Sequence, residues 1–251
     1  MPAPRRLATS FLTVCCLFLT FVCSAGAQCG LAQPGFGGIG AVPGIPFQAE
    51  RVATTMTPAD GSAAAPQLPA ALVARDSQGR VRFETTGAEY QVKTGPEAGT
   101  EVEQHSVIIC DPANHTVTRL DTLNKTAVIK QVKAVPPSPS FCEAWRRALS
   151  RWAEEDLGYQ TIEGLDTRGA RIRYSIDTPN GASSGQYVQD WWCSDELAAM
   201  VLEDATTPKG GKSSFALTNL TRREPDPALF QIPSDFTVIE ERTQPSGAGA
   251  R

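Results

Sequence analysis

Along residues 46–241, apolar and polar positions alternate in short runs broken by turn residues, which is the period of half-buried strands. "PFQAERVATTMT", "LPAALVARD", "VRFETTG", "QHSVIICD", "HTVTRLD" and "TAVIKQVK" read as successive strands. They are split by "PADGS", "SQGR", "DPAN" and "TLN". In "DSQGR" a hairpin turn is expected, with Gly79 free to take positive φ. After residue 158 the strands resume as "YQTIEGLDT", "ARIRYSID", "GQYVQDWWC", "AAMVLEDAT", "SSFALTNLTRRE" and "DFTVIEE". The spacing predicts one long, curved antiparallel sheet of roughly eleven strands.

One segment breaks the period. In "PPSPSFCEAWRRALSRWAEEDLG" the prolines end a strand, and Ser140 with Glu143 forms a capping box. Phe141, Trp145, Leu149 and Trp152 then recur at helical spacing on one face. A helix is predicted near residues 140–156, ended by Gly158 and packed on the sheet. The fold class is therefore α+β.

The ends read differently. Residues 1–27 have two arginines (Arg5, Arg6), an uncharged apolar run and Ala25-Gly26-Ala27, the layout of a signal peptide. An uncleaved N-terminal anchor is the alternative. Residues 28–45 are rich in Gly and Pro and hold no charge, as in a linker or a loosely ordered arm; residues 242–251 read as a flexible tail. No other apolar run approaches the ~20 residues of a membrane span. The address is thus periplasmic or secreted. Loss of Arg5 and Arg6 takes the formal charge from −4 to about −6, which gives no electrostatic reason to bind nucleic acid.

Of seven cysteines, Cys29, Cys110, Cys142 and Cys193 remain after the signal. In an oxidising compartment they are disulfide candidates, with three pairings open. No C-x-x-C is present. Neither a catalytic motif nor a dinucleotide or phosphate loop appears, and "GFGGIG" neither follows a strand nor opens a helix. His105, Cys110 and His115 match no metal-ligand spacing. Asp190, Asp195 and Glu196 would raise, not lower, the pKa of a Cys193 thiol. No cofactor, metal or catalytic residue is assigned. In "YVQDWWC" neighbouring side chains point to opposite faces, so Trp191 and Trp192 cannot line one pocket. Trp192 is taken for the interior.

"LGYQTIEGLDTRGARIRYSI", "LTNLTRREPDPALFQIPSDFTV", "ARDSQGRVRFE" and "ICDPANHTVTRLDTLNKTA" together resemble a family of exported proteins abundant in acidobacteria. The resemblance covers nearly all of residues 46–240 and is most specific at E-P-D-x-x-L-F. It implies no activity. Trp192, Ser194 and Glu196-Leu197 match that family's W-aromatic-S-P-E-L. Cys193 departs from its aromatic and Asp195 from its proline, which counts against Cys193 as a shared catalytic residue. In layout the chain is also distantly similar to periplasmic lipoprotein-carrier (LolA-like) half-barrels, which shelter acyl chains between sheet and helix. The combined expectation is a non-enzymatic envelope protein binding a lipid or acyl chain, with Trp145, Trp152, Trp192 and Phe215 as lining or core. An envelope sensor or protein-interaction module is the alternative; a thiol or metal-dependent enzyme ranks third.

Overall fold

The computed structural model describes residues 38–57, 70–90, 101–132, 142, 153–177 and 183–241. They form one open, curved sheet of twelve strands: β1 (Phe47–Thr57), β2 (Ala71–Arg75), β3 (Val81–Tyr90), β4 (Glu101–Asp111), β5 (Thr116–Asp121), β6 (Thr126–Gln131), β7 (Ala153–Ile162), β8 (Leu165–Asp177), β9 (Ser183–Ser194), β10 (Ala199–Thr206), β11 (Lys212–Thr221) and β12 (Thr237–Glu241). The spatial order is β12-β6-β5-β4-β3-β2-β1-β11-β10-β9-β8-β7. Every pairing is antiparallel except β12 beside β6, which is parallel. The described residues are thus mostly β.

The turns follow from local side-chain chemistry. Asp76 Oδ1 accepts from the N–H groups of Gln78 and Arg80, its Oδ2 meets Arg80 Nε at 2.6 Å, and Gly79 takes φ +83° as expected. The β4–β5 and β5–β6 turns are copies of each other. Asp111 and Asp121 each accept at Oδ1 from the N–H three residues on, and at Oδ2 from the Asn114 and Asn124 amides at 2.7 Å. Short Asx acceptors of this kind offer the backbone a turn in place of a ladder.

Three expectations need correction. Most of the helix near 140–156 lies outside the described residues, within which only Cys142 has helical backbone; residues 153–156 are strand β7. Gly158 does not end a helix but sits at a register shift in that strand. "YQTIEGLDT" is not one strand: Glu163 (φ +49°) and Gly164 (φ +72°) turn the chain between β7 and β8. Two consecutive positive φ values suit the right-handed twist of a tight hairpin.

Register divides the sheet into two faces. The inner face carries Phe47, Ala49 and Arg51 opposite Arg75, Val73 and Ala71, and continues through Phe83, Ile108 and Arg119. Its core includes Ile39, Phe47, Val73, Val81, Leu197 and Val201. At one end of the strands this face is closed by residues 38–45, part of the Gly/Pro-rich segment. Ile39 pairs with Ala199 and is 1% exposed. Arg75 holds this closure. It is fully buried, and its guanidinium donates to the carbonyls of Ile45, Gly40 and Leu197 and lies 4.8 Å over the Phe47 ring. Burial lowers its pKa to about 10. It has no carboxylate partner among the described residues; carbonyl oxygens from two separate segments take its protons.

The outer face is covered by the chain leaving β11. Ala74, Val107, Ile109, Leu120 and Ala127 pack under Phe230, with Leu229, Ile232 and Phe236 beside it. A 3-10 helix, Pro227–Phe230, opens on Asp226, whose Oδ1 accepts from Ala228 N–H at 2.9 Å. Beyond it Lys125 Nζ meets Asp235 at 2.7 Å and the chain enters the sheet edge as β12.

β6 and β7 lie toward opposite ends of the strand order. Cys142, between them in sequence, is bonded to Cys193 of β9 on the inner face, with Cα atoms 5.8 Å apart.

Candidate functional site

Beyond the closed end, the inner face changes character. One cross-strand row runs Phe215 (β11), Glu203 (β10), Trp191 (β9), Ala170 (β8), with Arg51 and Leu217 paired one step nearer the closure. Arg51, Met200, Val201, Leu202, Glu203, Phe215, Ala216 and Leu217 line an open dent of about 170 Å³. Six of these eight residues are apolar. Ile172, Trp191, Met200 and Tyr174 make an adjoining apolar cluster. The Tyr174 and Tyr187 rings stack there at 5.3 Å.

Two charges stand in this apolar setting. The Arg51 guanidinium lies 4.1 Å over the Phe215 ring and 5.9 Å from that of Phe83. Among the described residues no acceptor reaches it. Burial lowers its pKa, and Glu203 offsets part of that. Burial likewise raises the pKa of Glu203. Arg51 and the Trp191 indole N–H oppose that rise, and Asp204 adds to it. Gln189 Nε2 donates to Glu203 Oε1 at 3.3 Å. Tyr174 is pushed up to about 12 by burial, then by Tyr187 and Glu203. Arg51 and Glu203 do not approach within ion-pair distance, so each keeps capacity for a further partner.

The sequence-stretch residues fall as follows. Phe215 lines the dent. Trp191 and Trp192 do part to opposite faces, but in the reverse sense to that expected. Trp191 is 7% exposed on the inner face, and Trp192 pairs with Leu202 and Gly169 on the outer one, partly exposed. A Cβ on Gly169 would come within 2.6 Å of the Trp192 ring, so the ring covers a glycine instead of filling the interior. Trp145, Trp152 and Cys29 lie outside the described residues. Arg51 and Glu203 were not singled out by sequence, and Trp191 was placed on the face away from the interior.

The cysteines are oxidised. Cys142 and Cys193 are joined, and Cys110 is disulfide-bonded to a partner outside the described residues. This removes Cys193 as a nucleophile and Cys110 as a metal ligand. His115 is exposed in a turn. No group of three metal-ligating side chains occurs among the described residues, nor any helix long and apolar enough to cross a membrane.

No family model and no curated relative matches the sequence. Among solved structures the chain is similar to an uncharacterized conserved protein from Thermus thermophilus, at 14% identity over 79% of this chain and 91% of that one, with a TM-score of 0.42. LprF from Mycobacterium bovis aligns at 15% identity over 76% and 90%, TM-score 0.33. MucB, in complex with MucA, aligns at 15% identity over 78% of this chain and 57% of MucB, TM-score 0.38.

Proposed function

We propose that this chain is an exported, non-enzymatic binding protein of the cell envelope whose inner sheet face receives an apolar ligand, a lipid or an acyl chain. The observation behind the reading is the open dent beside the partly exposed Phe215 ring, floored by the buried Met200 and Leu217 and adjoined by the Ile172, Trp191 and Tyr174 cluster. The dent is open to solvent and too shallow to enclose a whole ligand. It serves as a foothold, and the rest of the ligand lies along the row toward Tyr174. Phe215 and Trp191 line this path; Trp192, on the outer face, does not.

Native mass spectrometry of the protein released from its own envelope tests the reading. Adducts of lipid mass, removed by organic extraction and restored by adding lipid back, are expected. Adduct-free protein that also takes up no added lipid would overturn it.

A further inference from the structure

We propose that Arg51 anchors the anionic head, a carboxylate or phosphate monoester, of an amphiphile whose chain lies along the inner face. The proposal rests on the apolar-ligand reading and adds the head to it.

The inner face has two arginines on neighbouring strands, Arg75 buried and Arg51 partly buried. Arg75 is fully enclosed and its protons go to carbonyl oxygens. Arg80, Arg82, Arg171 and Arg173, elsewhere on the sheet, each meet a carboxylate within 2.8 Å. Among the described residues Arg51 meets none. Its guanidinium rests on Phe215, and its donors border the dent. A planar guanidinium with free donors matches the two oxygens of a carboxylate or phosphate, and the surrounding low dielectric strengthens that pair.

The lining sets the rest of the ligand. A small hydrated anion would gain Arg51 but leave the partly exposed Phe215 ring facing water. An alkyl chain covers it and continues along the row toward the partly exposed Tyr174 and Tyr187 rings. Glu203 is the neighbour that competes with an incoming anion, helped by Asp204; Gln189, Trp191 and Tyr174 complete the polar groups around it. Without the Glu203 charge, an anionic head binds more tightly.

The test compares hexadecanoate, hexadecyl phosphate, methyl hexadecanoate and inorganic phosphate on the full exported chain, with Trp emission as readout. Wild type is expected to bind the two anionic amphiphiles at least about tenfold more tightly than the ester. Arg51→Met should drop the acid to the ester's level while leaving ester binding unchanged, which also reports that the variant is folded. Glu203→Gln should tighten acid binding and leave the ester alone. Equal binding of acid and ester by wild type would overturn the anchor and leave the apolar reading standing. So would a Glu203→Gln variant that binds acid no better than wild type. Inorganic phosphate binding as tightly as hexadecyl phosphate would remove the amphiphile from the proposal. Binding of none of the four would end both readings.

Discussion

Asp195 Oδ1 accepts a hydrogen bond from the Cys142 backbone N–H at 2.8 Å, two residues after the cysteine that is disulfide-bonded to the same Cys142. These are the two positions, 193 and 195, at which the chain departs from the pattern it resembles. Both departures meet at one point on the segment between β6 and β7. They act together as a tether, not as chemistry.

Breaking the tether is expected to cost stability in two unequal steps. Cross-linking across 51 residues constrains the unfolded chain by about 4 kcal/mol in the loop-entropy account. Cys193→Ser should lose up to that amount and Asp195→Ala about 1 kcal/mol. Urea melts of the two variants and the parent measure both. Under non-reducing, denaturing conditions Cys110, Cys142 and Cys193 should resist alkylation.

The Arg75 closure gives a sharper expectation. Arg75→Met leaves the Ile45, Gly40 and Leu197 carbonyls without their donor in a buried site, a loss of several kcal/mol at about 1–3 kcal/mol per orphaned group. Hydrogen exchange should then rise first at residues 38–45. Unchanged protection there would show that the arm is held by its apolar contacts instead.

Glu203 makes stability depend on pH in a defined direction. Its folded pKa is raised above 4.5, so the folded state holds the proton more tightly than the unfolded one. The favourable contribution is complete below the unfolded value and is lost as pH rises through the folded value. Glu203→Gln should therefore stabilise the protein at pH 7 and lose that advantage below 4.5. Melting curves of both proteins across this window give the difference, and a constant gap would contradict the assignment.

Two of the stretches that resemble the acidobacterial pattern, residues 74–84 and 217–238, meet each other in space. Glu224 accepts from Ser77 N–H at 3.0 Å, Arg82 donates to the Leu229 carbonyl at 2.7 Å, and Arg80 stacks 4.9 Å over Phe230. The E-P-D-x-x-L-F motif is thus a clasp over the outer face. Phe230→Ala is expected to cost about 3–5 kcal/mol, with Glu224→Ala, at an exposed contact, about 1 kcal/mol. Differential scanning calorimetry decides between them, and near-equal losses would argue against a Phe230-centred clasp.

Turn chemistry and strand period were readable because each depends on neighbours in sequence. Asp76 with Gly79, Asp111 with Asn114 and Asp121 with Asn124 carry their own instructions. What sequence hid depends on distant partners. Alternation separates Trp191 from Trp192, but only the pairing with Glu203 and Ala170 says which one faces inward. Cys193 held the missing clue, since it shares Trp191's parity and is bonded to Cys142. The Glu163-Gly164 turn carries neither the Pro nor the Asx acceptor that marked the other breaks. Arg51 looked like an ordinary strand arginine until its neighbours on β3, β10 and β11 were in place.

The most direct test of the inner face as a binding surface is photo-crosslinking with a diazirine-bearing hexadecanoate, followed by peptide mapping. Crosslinks are expected on β1, β10 and β11, within the peptides containing Arg51, Met200–Glu203 and Phe215–Leu217, and they should fade when unlabelled hexadecanoate competes. Crosslinks confined to outer-face residues such as Trp192 or Phe236, or labelling that no competitor reduces, would contradict the account.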